Sequence, residues 1–502
     1  MKFSDKILLI PIVLLFGNFL YRLINFSSIL YRFPLDITND LTAYIADIPF
    51  FEMYGYLGFV PQWYNGFILF NIYPPGWVFF TYPLYKLFGD LMLATFVSTL
   101  LLFAFGFLII WFFGKELKLS LVKKVALFAF IYGNPMIIGA VFKQGRIPSL
   151  MALDLLVLFF FLCIYFMDRP LGIKAISLPL VYAGLILTHQ TETVLASAFL
   201  LGLFLVKDKR ERVALFFLML LSIVFSSFWL FHFLQATFET GFLQFGDSQW
   251  LLDWHSYFWN NLAGVFLALG MFISFYLFYK QNKEGNWFLF FSPILLFTFL
   301  YLTRLVIFVP ILKNVYPDPW EDFITLNFVV LFLSLQFTHI SKNWKRFLTI
   351  ALILVAVLSV GYNMFKTPMM EPWTEHGEEA IALIPFLDQD SHFLMFNEET
   401  DGTLYSRSLY SYAAIYYNVS SASGWFEVNK EYSYVHSLNL LYMDIYTNGN
   451  CEDLDRLTQE FNTTQLLANG KYCFIISKCG WDIIQEKGET CLLNSPLVVQ
   501  QE

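Results

Sequence analysis

Apolar residues gather into eleven long runs between short polar connections, at about 7–30, 90–113, 125–142, 149–167, 173–188, 192–206, 213–234, 261–279, 286–303, 322–338 and 347–365. Runs near 20 residues are long enough to cross a hydrocarbon layer of about 30 Å as helices, so the pattern predicts a polytopic α-helical membrane protein. The first run has a basic start but is too long for a signal-peptide core and has no clean small-residue cleavage site, which predicts an uncleaved first span. An apolar stretch from Tyr73 to Leu87, opened by Pro74-Pro75 and interrupted by Pro83, is expected to lie in the interface and not cross.

The pattern changes after residue 365. Residues 366–502 contain no spanning run, and their short apolar stretches at Phe393–Phe396, Ala413–Val419 and Tyr472–Ile476 read as strands between Asn/Gly turns. We therefore divide the chain into a membrane domain, 1–365, and a C-terminal mixed α/β or β-rich domain, 366–502.

Composition agrees with this division. Hydrophobic residues make up 58% of the chain and charged residues 14%, too little polar surface for a soluble globule. Residues 366–502 carry 20 of the 39 acids and 7 of the 31 bases, a balance of −13, which leaves 24 − 19 = +5 for the membrane part. With the N-terminus cytoplasmic, seventeen Lys and Arg fall in inside loops and six in outside loops, the bias expected of a membrane-inserted chain. An odd number of spans then makes the C-terminal domain extracytoplasmic. Its four cysteines, Cys451, Cys473, Cys479 and Cys491, are expected to form two disulfides with three pairings open, while Cys163 lies in a span. Asn418 and Asn462 begin glycosylation sequons on the same side.

The candidate chemistry lies in the outer loops. The loop 31–90 carries Asp36, Asp40, Asp47 and Glu52 among aromatic residues. The aspartates at i, i+4 and i+11 would fall within about 40° of one another on a helix, as an acid stripe. Lys143 and Arg146 occupy the short loop 143–148. His189 and Glu192 lie in the connection Thr188–Glu192, Arg304 ends the ninth run, and Asp247, Asp253 and His255 occupy the loop 235–260. Lys or Arg can hold a lipid phosphate as it leaves, and a carboxylate can take the proton of an acceptor hydroxyl. No Walker loop or dinucleotide fingerprint is present, so an activated donor would be lipid-linked. Nothing points to nucleic acid.

Competing roles accompany these residues. Asp36 and Asp40 could cap a helix, Asp47 and Glu52 could line a solvated face, and Arg146 could satisfy carbonyls at its turn. His189 could make a structural hydrogen bond, Arg304 could anchor in the interface, and Arg22 in the first span could bridge to one of the acids.

The order of parts resembles the GT-C class of integral-membrane glycosyltransferases, and within it the 6-pyruvoyl-tetrahydropterin-synthase-related membrane proteins. The resemblance is carried by Asn39-Asp40, Trp63-Tyr64-Asn65-Gly66 followed by Tyr73-Pro74-Pro75, Gly145-Arg146-Ile147-Pro148 and Leu187-Thr188-His189. Ser423-Gly424-Trp425-Phe426 and Gly470-Lys471-Tyr472 are weaker echoes. It implies transfer of a sugar from a polyprenyl-phosphate-linked donor to a glycan, lipid or protein acceptor at the outer face of the bilayer. Asp40 and Asp36 would be catalytic, and Lys143, Arg146, His189, Glu192 and Arg304 would bind substrate. Members of the group often place a His three or four residues after the loop aspartate, where this chain has Ala43 and Tyr44. The cofactor is therefore left open: a divalent metal is compatible with the acids, but no ligand pattern indicates one.

Two other classes stay in view. A lipid or polysaccharide transporter would show an internal repeat or a path of midplane charges, and apart from Arg22 and Asp154 neither is seen. A non-catalytic membrane scaffold would work through its exterior domain.

Overall fold

The computed structural model describes residues 6–35, 40–240, 258–283, 285–309, 312, 320–334, 342–366, 369–370, 373–396, 407–425, 430 and 432–496. Each of the eleven apolar runs is helical among these residues. Helix α1 (Leu9–Phe26) is followed by two loop helices, α2 (Leu41–Tyr54) and α3 (Gly76–Phe88). The bundle continues with α4 (Leu91–Glu116), α5 (Leu121–Tyr132), α6 (Pro135–Ile138) and α7 (Ile147–Met167). It is completed by α8 (Ser177–Ile186), α9 (Gln190–Val206), α10 (Lys209–Thr240), α11 (Phe258–Gln281), α12 (Trp287–Leu302), α13 (Trp320–Ser334) and α14 (Lys342–Lys366).

Six helices among the described residues are long and apolar enough to cross a membrane, or seven if α5 and the bent segment after it count as one span. Segments 173–186, 190–206 and 287–302 are apolar but shorter. The bend between α5 and Pro135–Lys143 is 48° and has a local cause. Asn134 accepts hydrogen bonds from the Met136 and Ile137 amides, and Pro135 opens the new helix where its missing N–H costs nothing. The chain then takes a π-helical turn over Gly139–Lys143.

Helices α9 and α12, α11 and α13, and α8 and α10 pack in pairs, with α1 between α5 and α14. Phe216, Phe217 and Phe231 of α10 stay exposed, as a lipid-facing surface requires. Helix α3 packs along α4 and ends at Gly89 in the left-handed region. The Arg22 guanidinium donates to the Asn363 carbonyl and to Met369 Sδ.

Residues beyond 373 form a mixed five-stranded sheet in the order β4-β3-β5-β7-β6. Its strands are β3 (His392–Phe396), β4 (Ser420–Ser421), β5 (Gln465–Asn469), β6 (Asp482–Lys487) and β7 (Thr490–Asn494); β1 (Phe59–Val60) and β2 (Phe67–Ile68) form a separate pair in the first loop. Helices α15 (Glu375–Leu383), α16 (Ser408–Tyr417), α17 (Tyr432–Asn448), α18 (Cys451–Phe461) and α19 (Lys471–Lys478) complete this part. The strand expected at Phe393–Phe396 is present. Those at Ala413–Val419 and Tyr472–Ile476 are not: the first is mostly α16, ended by Asn418 at φ 54°, and the second is α19, which starts after Gly470 turns at φ 56°. Both segments are rich in β-formers, whose preference tertiary packing overrides. The cysteines pair as Cys451–Cys479 and Cys473–Cys491.

Candidate active site

Of the aspartates expected to share a helix face, only Asp47 lies within α2, which begins at Leu41 with Asp40 at its N-cap. Asp36 precedes the helix and lies outside the described residues, as do Asp247, Asp253 and His255. Asp47 is not on a solvated face; its side chain is buried inside α2. Glu52 is partly exposed and paired with Lys86 at 2.5 Å.

Although Asp40 holds the capping position, its carboxylate makes no capping bond. Oδ2 instead accepts from Arg146 Nε at 3.2 Å, and the Asp40 amide donates to the Gln144 carbonyl at 2.7 Å. Loop and π-turn are thus joined through both backbone and side chain. Gly145 makes the turn possible at φ 68°, the Arg146 amide returns to the Ala140 carbonyl, and Pro148 lies in the first turn of α7. Both side chains remain about 30% exposed (Asp40 29%, Arg146 31%), so the pair is reachable. Burial raises the Asp40 carboxyl above its ordinary value, against the opposing charge and hydrogen bond of Arg146.

The remaining short motifs meet beside this pair. Gly76, after Tyr73-Pro74-Pro75, donates to the Leu187 carbonyl at 2.6 Å. A Cβ there would lie 2.5 Å from that oxygen and 2.7 Å from Thr188 Oγ1, so only glycine permits the approach. Tyr73 donates to the Tyr44 hydroxyl at 3.0 Å, and Trp77 packs edge-on against Tyr44. Burial raises both phenols and keeps them neutral.

His189 is the N-cap of α9, and Glu192 lies in that helix's first turn, not in a free connection. The two form an ion pair through His189 Nδ1, with Glu192 only 3% exposed. Burial works to lower the His189 imidazole, but the charge and hydrogen bond of Glu192 more than reverse this, and the imidazole is raised. Glu321, at the start of α13, interacts electrostatically with Arg146, Glu192 and His189, and Asp322 with Glu192 and Glu321.

Lys143 ends the π-turn, half-buried, and pairs with no carboxylate among the described residues. Arg304 is 3% exposed at φ 66°. Its Nε donates to Asn261 Oδ1 at 3.2 Å, and its guanidinium lies 5.6 Å from the Trp320 ring centroid. It is therefore buried against Asn261 and Trp320, at the start of α13. Sequence reading missed Glu321 and Asp322; the signal available was an acidic pair directly before an apolar run. Among the described residues no group of three His, Cys, Asp or Glu side chains is arranged to hold a metal ion.

Aromatic motifs of the loop seat the C-terminal sheet. The Ser421 amide donates to the Gln62 carbonyl at 2.9 Å, the Asn65 amide to the Ser421 carbonyl at 3.3 Å and the Tyr64 amide to the Ser423 carbonyl at 3.2 Å. Gly424 leaves room for Trp63, whose atoms would lie 2.7 Å from a Cβ. Trp63-Tyr64-Asn65-Gly66 and Ser423-Gly424-Trp425 are thus two halves of one contact.

No family model and no curated protein matches the chain. Solved structures do. The archaeal oligosaccharyltransferase AglB of Archaeoglobus fulgidus, in complex with an inhibitory peptide and a dolichol-phosphate, aligns over 99% of this chain and 74% of its own at 9% identity and a TM-score of 0.52. The same organism's oligosaccharyltransferase tethered to an acceptor peptide with an NVT sequon aligns over 97% and 74% at 9% identity and a TM-score of 0.53. At such low identity the likeness is one of fold, and this chain has the fold of these GT-C glycosyltransferases.

Proposed function

We propose that this protein is an integral-membrane glycosyltransferase that moves a sugar from a polyprenyl-phosphate-linked donor to an acceptor at the extracytoplasmic face. The N-terminus would be cytoplasmic, and residues 366–502 a separate extracytoplasmic domain that binds the acceptor. The quoted motifs favour the 6-pyruvoyl-tetrahydropterin-synthase-related group within the class. The observation that carries this reading is the reachable Asp40–Arg146 pair at the convergence of three loop motifs.

In the reaction, Asp40 takes the proton of the acceptor hydroxyl while the acceptor oxygen bonds to the anomeric carbon. The bond from that carbon to phosphate breaks, and its electron pair leaves on the phosphate oxygen. Lys143 and Arg146 stabilise the departing charge. Arg304 holds Trp320 and the start of α13 in place, and so acts as a positioning residue. His189 and Glu192 fix the segment against which Gly76 closes.

Mass spectrometry of lipid-linked intermediates and surface glycans tests this in cells that lack the protein and are complemented with wild type or Asp40→Asn. A sugar that returns with wild type and not with the variant supports the assignment. Unchanged glycans in the deletion strain would turn the reading towards transport or a scaffold.

A further inference from the structure

Asp40 is approached from two sides. On the bundle side its amide donates to the Gln144 carbonyl and its carboxylate accepts from Arg146. On the other side stands α16, at the start of which Ser408 meets the first loop. Thr42 Oγ1 donates to Ser408 Oγ at 3.0 Å, with Thr42 0% and Ser408 1% exposed. At such burial water cannot replace the bond once it is broken.

The first turn of α2 carries this contact to Asp40. The Asp40 carbonyl accepts from the Ala43 amide at 3.1 Å and from the Tyr44 amide at 3.4 Å, so Asp40 and Thr42 move as one piece. Tyr412 and Tyr416 follow Ser408 at spacings of four, on one stripe of α16. Both pack edge-on against Phe33, with ring centroids 5.4 and 5.8 Å away. The stripe thus grips the loop before Asp40 at Phe33 and after it at Thr42. An apolar pair would fill the space at Thr42 equally well; a hydroxyl pair adds direction, because a hydrogen bond weakens steeply off its axis.

Resting on the transferase reading, we infer that Ser408 is a positioning residue for the transfer step: through Thr42 it fixes the first turn of α2 so that the Asp40 carboxylate stays within reach of Arg146 and of the acceptor hydroxyl. The C-terminal part of the chain thereby sets the reactivity of a base carried by the first loop.

The test joins a chemical readout of Asp40 to a readout of transfer. Full-length protein in nanodiscs would be treated with a water-soluble carbodiimide and an amine across pH, and coupling at Asp40 followed by mass spectrometry, since coupling slows as the carboxyl ionises. Transfer would be read in complemented deletion cells as sugar restored per folded molecule. Ser408→Ala is expected to lower transfer about 10- to 100-fold. It should also move the Asp40 midpoint to higher pH, because the carboxyl drifts from Arg146, which opposes the rise caused by burial. Thr42→Val should do the same, the double variant no more than either alone, and Thr42→Ser, which keeps the hydroxyl, should match wild type. Ser411→Ala, equally buried in α16, is the control for disturbance of that helix. If Ser408→Ala does not fold, Thr42→Val carries both readings. A lower Tm with a wild-type midpoint and wild-type transfer per folded molecule would reduce the bond to packing and overturn the proposal, as would equal effects of Ser411→Ala. A moved midpoint with sugars unaltered by both Ser408→Ala and Asp40→Asn would overturn the transferase reading, while the placement of Asp40 by Ser408 stands.

Discussion

Asp40 and Asp154 each give one carboxylate oxygen to a partner in the helical part of the molecule, and the partners differ in kind. Asp40 meets a guanidinium in a loop junction and keeps 29% of its side chain exposed. Asp154 meets the Tyr132 hydroxyl inside the bundle, fully enclosed. Gly106 packs so closely on that second pair that a Cβ would lie 2.0 Å from the Tyr132 oxygen and 2.7 Å from Asp154 Oδ1. An acid with a charged partner and open access can exchange a proton with substrate. An acid sealed behind a tyrosine and a glycine can only hold helices together. Buried charge in a membrane is usually a functional marker, and between these two carboxylates it is accessibility on which the proposed roles divide.

The largest test of this contrast is Asp40→Asn, which keeps shape and loses the base. Transfer should fall by roughly 10²- to 10⁴-fold, with unchanged thermal stability of the purified protein; Asp154→Asn should leave transfer per folded molecule near wild type. Arg146→Ala should cost about 10- to 100-fold, in the range of one lost charge-stabilising group, and Arg146→Lys should restore part of it. Arg146 also holds the Asp40 carboxyl down against burial. Its removal must raise that carboxyl further, so the acid limb of a pH–rate profile, already expected above the ordinary aspartate value of about 3.9, should move to higher pH.

Gly106→Val probes the sealed pair. Overpacking there should destabilise the protein by about 1–3 kcal/mol, read as a lower Tm without any change in the pH profile. The smallest effect concerns His189, whose imidazole is raised by Glu192. The pair's stabilisation is complete below the unfolded imidazole value near 6.5 and is lost as pH rises through the raised folded value. Melting curves of wild type should therefore decline over that window, and Glu192→Gln should flatten the decline.

Much of the helical scaffold was legible, because the apolar runs are helical among the described residues and helices answer to local periodicity, although six or seven of the helices, and not eleven, are long and apolar enough to span. The short motifs were legible as words but not as contacts. Asp40 with Arg146, and Gly76 with Leu187, join segments about a hundred residues apart, and no period in the sequence encodes that. Glu321 and Asp322 stayed hidden for the same reason, since their neighbours Glu192 and Arg146 lie on other helices. Asp47 misled because one aspartate in an aromatic loop looks solvated until the loop folds into a helix and is covered. Two segments of the C-terminal sheet misled in the opposite way, their aromatic and β-branched residues serving helix faces that cover strands.

Synthesis of the chain gains a constraint from the contact between Gln62–Asn65 and Ser421–Ser423, whose partners are 359 residues apart for the Ser421–Gln62 pair. The loop bearing Asp40 is translated among the first hundred residues, yet the strand it pairs with emerges only after every helix of the bundle has been made. Until then the backbone groups of the loop have no protein partner at this edge. A chain truncated before residue 421 would leave the Gln62–Asn65 edge of this loop without its partner, while Asp40 and Gly76 still tie the loop to the bundle. The last stretch of the polypeptide is therefore also what completes one of the first.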